Sequence, residues 1–172
     1  MAVWAKALPT AVFVGRCAGS AVGAYLVAMA LALPHPVWAL ISAVVVAQEN
    51  LAETWTSTGR RIAGTLLGVA IGVAIDLAAR PLGIGIAVQV VLTVGIGAVV
   101  AHERPGLRVG MWTGPIVLLT GDANDPAYLT GLYRGSEVIL GALLGGAAHW
   151  AAERVTTLLI DARQRFEGKA VS

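Results

Sequence analysis

The sequence predicts an all-α polytopic membrane protein in which six helices cross the bilayer. Of its 172 residues, 57% are hydrophobic and 13% are charged, about half of the roughly 25% that is usual for soluble domains. Mean hydropathy is +0.77. A soluble domain of 17.6 kDa has too small an interior to bury this much apolar surface. Lipid is the solvent that this composition fits, and one membrane domain over residues 1–152 is expected.

Apolar stretches define the helices, because about 20 mostly apolar residues span a bilayer core. Two shorter stretches lie between longer ones and are predicted to span with polar ends. Pro34-His35-Pro36 and Arg80-Pro81 predict sharp turns, and residues 121–133 have the composition of a loop. The six predicted helices comprise residues 12–33, 37–52, 60–79, 82–101, 107–120 and 134–152. Residues 153–172 are predicted to form a short cytoplasmic tail.

The basic residues sort to one side of this six-helix arrangement. One side carries Lys6, Arg16, Arg60, Arg61, Arg104, Arg108, Arg154, Arg163, Arg165 and Lys169, whereas the other carries only Arg80 and Arg134. Because Lys and Arg concentrate in cytoplasmic loops, both termini are predicted to be cytoplasmic, in a cell inner membrane. A cleaved signal peptide is the alternative for the first segment, but its apolar run is longer than the core of such a peptide.

Glycine recurs every four residues in four places. The four ladders are Gly15, Gly19 and Gly23; Gly64, Gly68 and Gly72; Gly106, Gly110 and Gly114; and Gly141 with Gly145. Glycines at this spacing line one face of a helix and let two backbones approach closely, which is how helices associate in lipid. They predict helix packing, although clearing a way for a substrate is an alternative role.

A weak internal repeat relates the two halves of the chain. Trp38 and Trp112 open the two short helices, and Gly64-Thr65-Leu66-Leu67-Gly68 resembles Gly141-Ala142-Leu143-Leu144-Gly145. With three helices in each half, this predicts a 3+3 inverted repeat, in which short helices at matched positions indicate a binding site. Chance similarity between apolar segments remains the alternative.

Polar residues near the predicted basic side point to an anion. Gln48, Arg60 and Arg61 are the main candidates for binding a carboxylate, because arginine offers several donors in a rigid fork. Arg16 and Arg108 are weaker candidates, and plain positive-inside topology is the alternative explanation for these arginines. Glu137, three residues after Arg134, predicts an ion pair at a helix mouth.

Catalysis and cofactors find little support. The three histidines are isolated and lack metal-ligand spacing, Cys17 has no partner for a disulfide, and no nucleotide or nucleophile motif is present. The basic residues form no stripe that would follow a nucleic acid. We therefore predict neither an enzyme nor a cofactor-binding protein.

Two sequence blocks carry a resemblance to a known family: Pro36-Val37-Trp38-Ala39-Leu40-Ile41-Ser42-Ala43-Val44-Val45-Val46-Ala47-Gln48 and Arg61-Ile62-Ala63-Gly64-Thr65-Leu66-Leu67-Gly68. They resemble the fusaric acid resistance family of the aromatic acid exporter superfamily, which is related to aluminium-activated malate transporters. The resemblance implies export of organic or aromatic acids, or an anion-conducting pore. Larger members join two six-helix units, so a homodimer or higher homo-oligomer is expected here. Trp38 and Trp112 would then offer aromatic surfaces near the site, and a non-transporting scaffold remains the alternative.

Overall fold

The computed structural model describes residues 2–121 and 126–170, with side chains placed over residues 10–121 and 126–158. Within these ranges the chain forms six α-helices, which confirms the predicted fold class. They are α1 (Ala2–Ala30), α2 (Val37–Val46), α3 (Leu51–Ala79), α4 (Ile86–Glu103), α5 (Val109–Leu119) and α6 (Ala127–Ala170). Short 3-10 turns, Arg80–Leu82 and Pro105–Leu107, precede α4 and α5.

The helix boundaries differ from the predicted ones most clearly between α2 and α3. The second helix ends at Val46 rather than at residue 52, and α3 begins at Leu51 rather than at residue 60. Asn50 causes the restart, since its side-chain oxygen accepts a hydrogen bond of 2.8 Å from the backbone N–H of Glu53. This is an N-cap, which satisfies a free amide at the start of a helix. The predicted tail is helical as well, because α6 continues to Ala170.

Three helical stretches are both long and apolar enough to cross a membrane: Thr10–Ala30, Leu51–Leu82 and Ile86–Glu103. The much longer α6 carries Glu137 and His149 on its buried side, which lowers its hydropathy. By contrast, α2 and α5 have only 10 and 11 residues. At 1.5 Å per residue each is roughly 15 Å long, about half the thickness of a bilayer core. These two helices occupy matched positions in the two halves of the chain.

The helix contacts of the two halves of the chain correspond to each other. In the first half α2 lies between α1 and α6, and in the second half α5 lies between α4 and α3. The two long helices α3 and α6 pack on each other at the centre. Exchanging the first three helices with the last three converts the contacts of α2 into those of α5 and leaves the contact between α3 and α6 unchanged.

Glycine ladders carry the closest helix contacts, and the ladders of α3 and α5 face each other. A Cβ on Gly68 would lie 2.7 Å from the carbonyl oxygen of Gly110, and one on Gly72 would lie 2.9 Å from that of Gly114. The ladder of α6 lies on α2, where a Cβ on Gly145 would lie 2.8 Å from the carbonyl oxygen of Ala43. At these positions the backbones lie so close together that side chains would not fit between them.

Two parts of the glycine pattern have no helix backbone opposite them among the described residues. The α1 ladder of Gly15, Gly19 and Gly23 has open space at every member, because its face points away from the rest of the chain. Gly106 lies in the 3-10 turn before α5 and contacts the side chain of Arg60 rather than another helix backbone. Spacing alone shows that glycines share a face, but it does not show what lies opposite that face.

Candidate functional site

A cavity of about 210 Å³ opens where α2 and α6 begin. The end of the bundle that carries most of the basic residues is called the basic end. The cavity lies at the other end of the bundle, which is called the opposite end. Three parts of the chain meet there: the turn before α2, the end of α5 and the start of α6. Its lining comprises Pro34, His35, Trp38, Thr120, Gly121, Leu129, Thr130, Tyr133, Arg134 and Glu137.

Arg134 is the principal cation of this cavity. Its guanidinium carbon lies 3.2 Å from the centre of a Trp38 ring, stacked on the ring face. Stacking suits the planar guanidinium and fixes its orientation. Arg134 is only 4% exposed, yet its Nε and Nη1 have no hydrogen-bond acceptor among the described residues. A buried cation with free donors is expensive, so this arrangement favours an anion as its missing partner.

Glu137 lies one turn further along α6 and is fully buried. Its Oε1 accepts a hydrogen bond of 2.6 Å from the backbone N–H of His35, whose ring Nδ1 is 3.9 Å away. Its Oε2 has no partner among the described residues. The predicted ion pair with Arg134 does not form, because Glu137 is turned toward the α1–α2 link. The cavity thus keeps a cation and an acid side by side, each with unused polar atoms.

Arg61 approaches this site from α3. It is 4% exposed, and its Nε donates a hydrogen bond of 3.3 Å to Ser42 Oγ, halfway along α2. Its charge interacts with that of Arg134. Two positive charges therefore face the interior between α2, α3 and α6, and they would repel each other less with an anion between them.

A family model described as fusaric acid resistance protein-like matches residues 22–148. The chain belongs to this family. The match covers most of the chain and includes α2 to α5, the described cavity and the glycine ladders of α3 and α6. No curated protein and no solved structure gave a further match. Membership of this family implies membrane transport or efflux at a general level.

The two sequence blocks that resemble the family occupy defined places in the structure. The first forms α2 and its flanking turns, and it brings Trp38 into the cavity. The second lies on α3, where it places Arg61 in the interior and the glycine ladder against α5. The blocks thus contribute one wall of the cavity and a close helix contact.

At the basic end three of the residues that the sequence predicts to bind the anion, Gln48, Arg60 and Arg16, lie in two clefts. A cleft of about 430 Å³ is lined by Gln48, Glu53, Thr56, Ser57 and Arg60. A second cleft, of about 280 Å³, contains Arg16 and His149 together with Glu49 and Glu153. Arg16 Nη2 donates a hydrogen bond of 2.5 Å to the backbone carbonyl of Gln48, which ties α1 to the end of α2.

The structure does not bring the predicted substrate-binding residues together in one place. Arg60 and Arg61 are neighbours in sequence, but Arg60 is exposed while Arg61 is buried, because successive helix residues point about 100° apart. Trp112 is 45% exposed, and neither it nor Arg108 lines a described cavity. Sequence reasoning missed Arg134 and Glu137 as site residues. Their signal was present, since ionisable groups within an apolar segment mark functional positions in membrane proteins.

Proposed function

We propose that this protein exports small organic acid anions, aromatic acids included, across the cell inner membrane. The observation that carries the proposal is the buried guanidinium of Arg134, held against Trp38 with two nitrogen atoms free to donate into a cavity. A carboxylate fits these donors, because arginine binds carboxylates through parallel hydrogen bonds. Tyr133 and Leu129 supply surface for the ring or chain of the anion.

The size of the cavity supports a small substrate. A cavity of about 150 Å³ is enough for a benzene ring, and this one measures about 210 Å³. Benzoate, a single ring with one carboxylate, is therefore a suitable probe.

The basic end supports capture of the anion from the cytoplasm. Positive-inside bias favours a cytoplasmic location for this end and for both termini. Arg60 and Gln48 line a wide cleft there and would attract anions from the cytoplasm. The outward glycine ladder of α1 supports assembly as a homodimer or higher homo-oligomer, since small residues let helices of two copies approach closely.

A channel and a scaffold are the competing functions. A scaffold needs no polar cavity, and a buried cation with free donors would only weaken it. A channel would use the same groups, but it would conduct at a far higher rate without a coupled ion. Recording of unitary currents in planar bilayers separates a channel from an exporter.

Benzoate efflux from proteoliposomes tests the proposal. Purified protein should release radiolabelled benzoate with saturable kinetics, because a defined site is occupied in each cycle. Unlabelled benzoate should compete, whereas benzamide, which has the same ring without the charge, should not. Efflux no faster than from protein-free liposomes, or equal competition by benzamide, would contradict the proposal.

The neighbouring residues Arg60 and Arg61 provide a matched pair of variants. Arg60→Gln removes an exposed charge, so its KM should be about two- to threefold higher than that of the wild type at low ionic strength, and this difference should vanish in high salt, where the charge of Arg60 is screened. Arg61→Gln removes a buried charge, so the maximal rate should fall by about tenfold at either ionic strength. Initial rates of benzoate efflux at two salt concentrations measure both effects. Equal responses of the two variants would show that burial does not distinguish their roles.

A further inference from the structure

We propose that the anion crosses the membrane within a single chain, between α2, α3 and α6, along a buried polar face of α3. This inference rests on the proposed transport function and adds its route. The polar face consists of Thr54, Thr58, Arg61 and Thr65. It separates the cavity at the opposite end from the His149 cleft at the basic end.

The four residues of the polar face follow one another at spacings of four, three and four, which places them on one side of a helix. All of them are buried, with exposures between 0% and 4%. From Thr54 to Thr65 the face extends about 16 Å along the helix axis. That is about half of a bilayer core of roughly 30 Å, and the two cavities lie beyond its ends.

Hydrogen bonds to neighbouring parts of the chain account for three of the four polar side chains: Thr54 bonds His149, Thr58 lies 3.5 Å from the Ala142 carbonyl oxygen, and Arg61 bonds Ser42. Packing does not account for the fourth, Thr65. The adjacent face of α3 uses glycine for close packing against α5, whereas the polar face carries hydroxyl groups and a charge. Thr58 Oγ1 donates a hydrogen bond of 2.8 Å to the Thr54 carbonyl within its own helix. Thr65 Oγ1 has no partner among the described residues, although it is fully buried. An unpartnered hydroxyl is costly in a dry interior, so its presence favours intermittent contact with water or a polar solute.

Both ends of the polar face connect to a described cavity. At the basic end Thr54 Oγ1 lies 2.7 Å from Nδ1 of His149, which lines the 280 Å³ cleft beside Arg16. Toward the opposite end Arg61 donates a hydrogen bond of 3.3 Å to Ser42, which lies one turn along α2 from Trp38 in the lining of the 210 Å³ cavity. The threonines themselves are closed off from solvent, so the structure represents a state in which the route is shut at its centre.

Over the residues whose side chains the structure describes, the exposed side of α1 offers no comparable route. The exposed side of α1 carries its glycine ladder together with Val22 and Leu26. A second copy packed on this side would meet an apolar surface, which suits association but not the passage of an anion. The buried ionisable groups among the described residues lie instead on α3 and α6: Arg61, Asp76, Arg134, Glu137 and His149.

Cysteine accessibility tests this route. In a Cys17→Ser background, Thr58→Cys and Thr65→Cys should react with a negatively charged, membrane-impermeant methanethiosulfonate while the protein cycles in liposomes. Benzoate should slow both reactions several-fold by competing for the same space. Leu66→Cys is the matched control, because Leu66 is next to Thr65 on α3 and half exposed on the apolar outer surface. It should not react, since a lipid-facing thiol is neither hydrated nor ionised.

The outcomes separate the route from the transport function. Unreactive Thr58→Cys and Thr65→Cys proteins that still carry benzoate would overturn the route and leave the proposed function intact. If Leu66→Cys reacted as fast as Thr65→Cys, the route would likewise be overturned and the proposed function left intact. Reactive thiols in a protein that carries no benzoate would keep an aqueous route and overturn the proposed substrate. As a second variant, Thr65→Val should lower the maximal rate and Thr65→Ser should restore it, with thermal stability unchanged.

Discussion

Replacing Arg134 by Gln should nearly abolish benzoate transport. The substitution removes the charge and stacking of the guanidinium against Trp38 while retaining a polar side chain of moderate length. A hydrogen bond to a charged group contributes about 1.5–3 kcal/mol. By the usual relation between free energy and affinity, the loss corresponds to about 10- to 150-fold weaker binding. Equilibrium binding of benzoate to detergent-purified protein and its efflux from liposomes should both show this loss.

Two further variants determine whether the effect is specific to Arg134. Arg134→Lys keeps the charge but loses the fork and the stacking, so its affinity should lie between those of the wild type and the Gln variant. Arg154→Gln is the matched control, because Arg154 also lies on α6, with its guanidinium carbon 5.7 Å from the Trp150 ring, but it is exposed. It should transport normally. If Arg154→Gln lost as much transport as Arg134→Gln, the cavity would have no special role.

Gly141→Ala should prevent α2 and α6 from packing and lower the yield of folded protein. A Cβ at this position would clash with the backbone carbonyl of Ala39, which cannot rotate away as a side chain could. Overpacking typically costs about 1–3 kcal/mol, and the upper part of this range is expected where backbone must move. Thermal unfolding in detergent and the fraction of monodisperse protein after gel filtration measure the effect.

Gly95→Ala is the control for this prediction. Gly95 lies within α4, and its added Cβ would have nothing within 4 Å. Alanine is the better helix former by roughly 0.5–1 kcal/mol, so this variant should be as stable as the wild type or slightly more so. A Gly141→Ala protein that unfolds at the same temperature as Gly95→Ala would show that the α2–α6 contact is looser than the structure indicates.

Much of the fold could be predicted because its determinants are periodic. Apolar runs give the number of helices, and glycines at a spacing of four give the packing faces of α3, α5 and α6. What the α1 ladder faces depends on tertiary structure, which the spacing does not contain. The break before α3 depends on one short-range hydrogen bond from Glu53 N–H to Asn50, a signal that hydropathy does not register.

The site was less accessible to sequence reasoning because charges serve two purposes in a membrane protein. Clustered arginines indicate topology as well as binding. The pattern therefore favours the pair Arg60 and Arg61 as binding residues, whereas the isolated Arg134 is one of only two basic residues on its side of the membrane. Burial distinguishes these residues: Arg61 and Arg134 are inside the bundle and Arg60 is outside. Burial of these arginines depends on how α2 lies against α3 and α6, and this helix packing cannot be read from the positions of the charges in the sequence.

The half-length helices α2 and α5 also shape the electric field inside the protein. Where a helix covers only about half of the bilayer core, water can approach its ends, and the membrane voltage then drops mainly across the dry segment between them. Ser42 and its donor Arg61 lie in that segment. Moving one elementary charge through the full potential changes its energy by about 2.3 kcal/mol per 100 mV. For an anion carried along the proposed route, most of this energy would be exchanged within a few residues of Arg61.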